Sequence, residues 1–138
     1  MLKMEFSVKG NDFTRAGEAA TKIKKALQMV GMDVNTVRRA VIVAYEAELN
    51  IVIHARQGIL TLSVHPDRVE IRAEDEGPGI PDILLAMQEG YSTAPPHVKK
   101  MGFGAGMGLP NINRCSDRLE IETEVGRRTT VKTIIFNQ

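Results

Sequence analysis

Glu74-Asp75-Glu76-Gly77-Pro78-Gly79-Ile80-Pro81 is the stretch around which the other segments arrange themselves. It closes a run in which Val69, Ile71, Ala73 and Asp75 share one strand parity, so Asp75 leaves the chain on the apolar face. A carboxylate there is costly to bury unless something hydrogen-bonds to it. Gly77 and Gly79 then remove two side chains, and the backbone can pass close to a flat group where a Cβ would collide. An acidic turn after a strand is the plainer explanation of the same residues, and this stretch alone leaves both open.

A second glycine loop follows, Met101-Gly102-Phe103-Gly104-Ala105-Gly106-Met107-Gly108-Leu109. Glycines at alternate positions make an arch whose amides can face an anion, and a helix opening near Leu109 adds its positive end. The spacing excludes a Gly-x-x-x-x-Gly-Lys-Ser/Thr phosphate loop. A hinge is the alternative. Lys99 and Lys100 stand beside the loop. Taken with Asp75, whose carboxylate can accept from the exocyclic amine of adenine, the two loops read as a purine-nucleotide site.

Residues 35–55 contain neither Gly nor Pro, which favours one long helix over two strands. Its second half is apolar nearly all round, a pattern of burial between layers. Glu46 and Asn50 sit in that half, one turn apart on one face. An Asn amide oxygen suits Mg²⁺, which takes few protein ligands and leaves the rest to phosphate and water. A Glu one turn earlier can orient or deprotonate an attacking hydroxyl. A buried polar pair satisfied by neighbouring loops is the alternative. Glu48 lies off that face and is expected in solvent. His54 extends the stripe but has no second His or Cys at ligand spacing, so zinc is not expected.

The remaining segments supply the frame. A first strand is expected over Met4–Val8, then a helix capped by Asn11 or Asp12 and running to about Val30. Gln57-Gly58 is expected to close the long helix. Strands carrying Leu60, Leu62, Val64 and Val69, Ile71, Ala73 turn at His65-Pro66-Asp67. A short helix at Ile83–Met87 and an irregular stretch to residue 100 suit a ligand lid over about 81–105. A helix near Leu109–Ser116 and strands at Arg118–Val125 and Thr129–Phe136 complete a single domain, 1–138. The order β-α-α-β-β-lid-α-β-β predicts a two-layer α/β (α+β) sandwich, a mixed sheet with helices on one face. With 43% hydrophobic and 25% charged residues the chain can build an ordinary core, and a net charge of +1 argues against direct nucleic-acid binding. No apolar run reaches membrane-spanning length. The lone Cys115 cannot form an internal disulfide, which suits a reducing cytoplasm, and it falls on the apolar stripe Leu109, Ile112, Cys115.

These residues carry a family resemblance. Glu46-Ala47-Glu48-Leu49-Asn50-Ile51-Val52-Ile53-His54-Ala55 resembles the N box of the GHKL ATPases in its Glu-x-x-x-Asn form. Asp75-Glu76-Gly77-Pro78-Gly79-Ile80 resembles their first glycine box, and Gly104-Ala105-Gly106-Met107-Gly108-Leu109 the second. Gly126 with Thr129-Thr130-Val131 resembles the closing Gly-x-Thr segment. The boxes fall in the family's order over nearly the whole chain, and within it the chain looks most like the stand-alone anti-sigma-factor serine kinases.

The resemblance implies a Bergerat ATP-binding fold using ATP and Mg²⁺. In it Asp75 reads adenine beside Gly77 and Gly79, Asn50 holds Mg²⁺, and Glu46 is the general base. Gly104, Gly106, Met107, Gly108 and Leu109 surround the phosphates, and Thr130 helps at the adenine end. It further implies a phosphoacceptor Ser or Thr on an antagonist protein, a sequestered sigma factor and a homodimer. Two positions depart from the pattern: Gly104 stands where those kinases usually carry an Arg, and Ile51 where a small residue is common. Two other functions fit the same boxes, an ATP-gated binding module without phosphotransfer and a detached histidine-kinase ATPase domain. An imidazole nucleophile needs no Glu46, which separates the last from the first.

Overall fold

The computed structural model describes residues 2–91, 96 and 108–137. Among them the chain forms β1 (Leu2–Lys9), α1 (Glu18–Met29), α2 (Val34–His54), β2 (Gln57–Val64), β3 (Arg68–Glu76), α3 (Ile83–Ala86), α4 (Gly108–Cys115), β4 (Arg118–Glu124) and β5 (Arg128–Phe136). The strands make one sheet in the order β1-β2-β3-β5-β4. Leu60, Leu62, Val69, Ile71, Val131 and Ile135 line its inner face, where α1, α2 and α4 bury Ile23, Leu27, Val43, Ile51, Val52 and Ile112. This is the expected two-layer sandwich with its helices on one face.

The sheet is antiparallel at every ladder rather than mixed. Two consecutive helices, α1 and α2, return the chain to the end of the sheet it left, so β2 runs against β1. The crossover through α4 does give β4 the direction of β3, but β5 inserts between them and removes the parallel contact.

Helix α2 is the central element. Asp33 caps it, accepting from the Asn35 amide at 3.0 Å, and Ala55 ends it in extended conformation. Gln57 and Gly58 therefore belong to β2 and do not close the helix. Gly58 lies opposite Asp75, and a Cβ there would approach the Glu74 carbonyl oxygen to 2.7 Å.

Helix α1 begins at Glu18, later than a cap at Asn11 or Asp12 would have it. The Gly10 and Asn11 amides donate to the Arg56 and Val52 carbonyls at 2.8 and 2.7 Å, pinning this segment to the end of α2. Asp12 is engaged by the Thr14 hydroxyl at 2.8 Å instead. Gly17, at the start of α1, offers no side-chain cap. The cap comes from another helix. Glu48, expected in solvent, is only 2% exposed, and its carboxylate accepts from the Ala19 and Ala20 amides at 3.2 and 3.1 Å. A buried charge is thus met by two orphan donors at the positive end of a helix.

Replacing Glu48 by Ala leaves those amides without their acceptor and should lower stability by about 2 kcal/mol. Urea unfolding should show a lower midpoint at unchanged slope, and a loss below about 0.5 kcal/mol would remove the capping role.

Candidate nucleotide site

Asp75 stands near the end of β3, paired with Gly58 on one side and Thr129 on the other. The Thr129 amide donates to its Oδ1 at 3.2 Å. Burial pushes the Asp75 carboxyl above its ordinary value, and this hydrogen bond pulls the other way. Because the bond engages one oxygen, acceptor capacity remains on the group.

The loop after Asp75 is clamped to the β4–β5 hairpin. The Gly77 amide donates to the Arg127 carbonyl at 3.0 Å and the Gly126 amide to the Pro78 carbonyl at 2.7 Å. The Ile80 amide donates to the Thr123 hydroxyl at 2.8 Å, and the Thr123 and Thr129 hydroxyls meet at 3.0 Å. Gly79 has φ 73°, and a Cβ there would lie 2.6 Å from the Glu124 carbonyl oxygen. Only glycine joins that backbone conformation to that close approach. A Cβ on Gly77 would lie 3.2 Å from Asp75 Oδ1.

One predicted residue is misplaced. Thr129, Val131, Thr133 and Ile135 are the buried members of β5, so strand alternation puts Thr130 on the opposite face, away from Asp75. The threonine beside Asp75 is Thr129, 6% exposed. Its parity relative to Val131 was available in the sequence.

The other end of the site lies on α2. Glu46 and Asn50 meet at Gly108, the first residue of α4. A Cβ on Gly108 would lie 3.1 Å from Asn50 Oδ1 and 3.6 Å from Glu46 Oε2. The second glycine segment thus ends directly against the stripe of α2. Asn111, one turn into α4, donates from Nδ2 to Glu46 Oε2 at 3.3 Å. Burial pushes the Glu46 carboxyl up, opposed by this bond. Asn111 was missed in the sequence; a polar residue one turn after a site glycine was its only signal.

Leu109 is 9% exposed and packs into the core, so its side chain anchors α4. Gly104, Gly106 and Met107, together with Lys99, Lys100 and most of the lid region, lie outside the described residues. Burial lowers the His54 pKa, which keeps the imidazole neutral. Among the described residues no group of three His, Cys, Asp or Glu forms a metal cluster. A cation here would depend on oxygen donors brought by a ligand, and one Asn amide oxygen beside a carboxylate fits that kind of Mg²⁺ site.

Ala55 marks the near end of the first loop, since a Cβ on Gly77 would touch its Cα at 3.1 Å. Along α2, Glu46 and Ala55 are separated by roughly 13 Å at the usual helical rise. An acceptor carboxylate thus stands at one end and a Glu–Asn pair beside the start of α4 at the other, on one face of a two-layer α/β domain. The family model "Histidine kinase-, DNA gyrase B-, and HSP90-like ATPase" matches residues 35–137, and the chain belongs to that family.

Relatives within it are close in length. Serine/threonine-protein kinase RsbT of Bacillus subtilis is 35% identical over 127 residues, covering 89% of this chain and 87% of that protein. The anti-sigma F factor of Caldanaerobacter subterraneus subsp. tengcongensis is 28% identical over 137 residues, covering 96% and 90%. The crystal structure of the RsbU and RsbW domains of a Mycobacterium tuberculosis protein superposes with TM-score 0.65 at 12% identity, over all of this chain and 33% of that one. That last likeness concerns the fold.

Burial makes the ionised form of Asp75 a cost to the fold. A raised carboxyl pKa means that the folded protein binds the proton more tightly than the unfolded chain. The cost is therefore fully present above the folded pKa and is relieved as pH falls toward the ordinary value of 3.8. Asp75→Asn, which can still accept from Thr129, should raise the melting temperature of the nucleotide-free protein at neutral pH. That gain should shrink on acidification, and a variant less stable at pH 7 than the parent would contradict the assignment.

Proposed function

We propose that the chain is an ATP-dependent protein-serine/threonine kinase of the anti-sigma-factor type. Glu46 is its general base, Asn50 its Mg²⁺ ligand and Asp75 its adenine acceptor. The convergence of Glu46 and Asn50 on Gly108 carries this reading. It puts a carboxylate and an amide oxygen side by side at the first residue of α4, which supports a base and a metal ligand there. The kinase named among the relatives at 35% identity supports the same class of reaction.

The residues divide the work by chemistry. Asp75 accepts from the adenine amine, with Gly77 keeping a side chain away from its Oδ1 and Gly79 letting the loop close on the β4–β5 hairpin. Thr129, in the place first given to Thr130, holds Asp75 through its amide. Gly108 and the amides of the first turn of α4 serve the phosphate end, the role that the family resemblance also gives to Gly104, Gly106 and Met107. When bound, Mg-ATP supplies an electrophilic γ-phosphorus whose charge the metal offsets. Glu46 aligns the Ser or Thr hydroxyl of an antagonist protein and takes its proton as the oxygen attacks. Its raised pKa makes it a stronger base than an exposed carboxylate while leaving it accessible. The partners fitting this reading are a phosphoacceptor antagonist protein and a sigma factor, with the chain acting as a cytoplasmic homodimer. No helix among the described residues is long and apolar enough to cross a membrane.

The test is transfer of labelled phosphate from ATP to candidate antagonist proteins. Glu46→Gln should reduce transfer by about 10²- to 10⁴-fold while leaving ATP affinity within a few-fold. Asp75→Asn should weaken ATP binding by tenfold or more, since an amide can present a donor where an acceptor is needed. Transfer that persists in Glu46→Gln removes the base, and unchanged affinity in Asp75→Asn removes the adenine assignment. ATP binding with no transfer to any candidate would leave an ATP-gated protein-binding module, the reading favoured by Gly104 in place of an arginine.

A further inference from the structure

Asn111 lies two residues beyond the second glycine box, and its carboxamide stands between groups of fixed polarity. On one side Nδ2 donates to Glu46 Oε2 at 3.3 Å. On the other, Oδ1 accepts from Arg114 Nη2, and Arg114 Nη1 pairs with Glu89 Oε1. An arginine only donates and a carboxylate only accepts. The amide is therefore satisfied in one orientation, oxygen toward Arg114 and nitrogen toward Glu46. Asn111 and Arg114 are three apart on α4 and share a face. Glu89 follows α3, on the far side of the second glycine loop in sequence.

This leaves the Glu46 carboxylate held at one oxygen. Among the described residues Asn111 is its hydrogen-bond donor, and no described donor engages Oε1. The other described groups that meet it at Gly108 are the Asn50 carboxamide and the Gly108 backbone, neither of which titrates. Among the described residues one oxygen is engaged and the other has no donor.

We propose that Asn111 is a positioning residue for Glu46. With Arg114 and Glu89 it forms a clasp that sets the carboxylate in the orientation its role as base requires. Asn is suited to the central place because it is a donor at one end and an acceptor at the other. Asp at 111 would keep Arg114 but turn a like charge on Glu46. Leu at 111 would keep the volume and lose both bonds. The inference rests on the reading of Glu46 as general base, and its test separates the two.

Two measurements on the intact chain decide it. The first is Mg-ATP turnover to ADP alongside calorimetric affinity for the non-hydrolysable analogue AMP-PNP. Asn111→Leu and Asn111→Asp should lower turnover on the order of 10- to 100-fold, as expected for a misplaced catalytic group. AMP-PNP affinity should stay within about threefold of the parent. The second needs no turnover: titration of the ¹³C-labelled Glu46 carboxyl by NMR. Its midpoint should rise by roughly half a unit to one unit in Asn111→Leu, the worth of one hydrogen bond to the ionised form, and further in Asn111→Asp. Arg114→Gln should shift it the same way by less, and should add little on top of Asn111→Leu.

An unchanged Glu46 midpoint in both Asn111 variants overturns the proposal. So does turnover that is lost in Glu46→Gln but intact in Asn111→Leu, an outcome that leaves the base standing. Turnover indifferent to Glu46→Gln instead removes the base itself.

Discussion

The hydrogen bonds from Ala19 and Ala20 to the Glu48 carboxylate fix how α2 is rotated, and the site depends on that rotation. At about 100° per residue, Glu46 and Asn50 fall within roughly 40° of one another, and Glu48 lies nearly opposite both. Tying Glu48 to α1 therefore aims the other two at α4. Apolar packing alone would do this poorly. The second half of α2 is buried between α1, α4 and the sheet, and a stripe that is apolar nearly all round does not specify an angle. A buried carboxylate with one favourable partner does, because every other rotation leaves a charge without donors.

The sheet performs the matching task for Asp75. Its register puts Asp75 between Gly58 and Thr129, where one neighbour has no side chain and the other offers a backbone amide. The loop beyond is closed by hydrogen bonds to the β4–β5 hairpin, which comes from the far end of the chain. The setting of Asp75 thus depends on the final strand entering between β3 and β4. Had β4 paired with β3, as a simple crossover allows, Thr129 would not face Asp75. The antiparallel order is a condition of the site as well as of the sheet.

What the sequence discloses follows the range of each interaction. Strands and helices are legible in local period, and the faces on which Asp75, Glu46 and Asn50 lie in parity and one-turn spacing. Glu48 and the start of α1 were missed together, for one reason. Gly17 provides no cap and Glu48 has no local partner, and the two deficits resolve only when α1 meets α2, 28 and 29 residues apart in sequence. Thr130 differs: its strand is legible in the sequence, but the Gly-x-Thr likeness points to Thr130 where strand parity favours Thr129. Insertion of β5 inside the sheet is a pairing choice with no local signature.

With Glu46 as the proposed base, the place of Asn111 follows from what a base requires. A carboxylate must be held in orientation without losing its affinity for a proton. A direct ion pair with Arg114 would orient it firmly but oppose protonation, since two unit charges 4 Å apart interact by about 4 kcal/mol at an effective dielectric of 20. Interposing one carboxamide roughly doubles the separation and so about halves that term, before solvent screening at the exposed Arg114 reduces it further. The hydrogen bond from the neutral amide remains, worth about 1 kcal/mol and directional. Orientation is thus conveyed at short range while charge is kept at a distance. Burial pushes the Glu46 carboxyl upward against the pull of Asn111, so the contact that would aim the proposed base does not overturn the effect of burial.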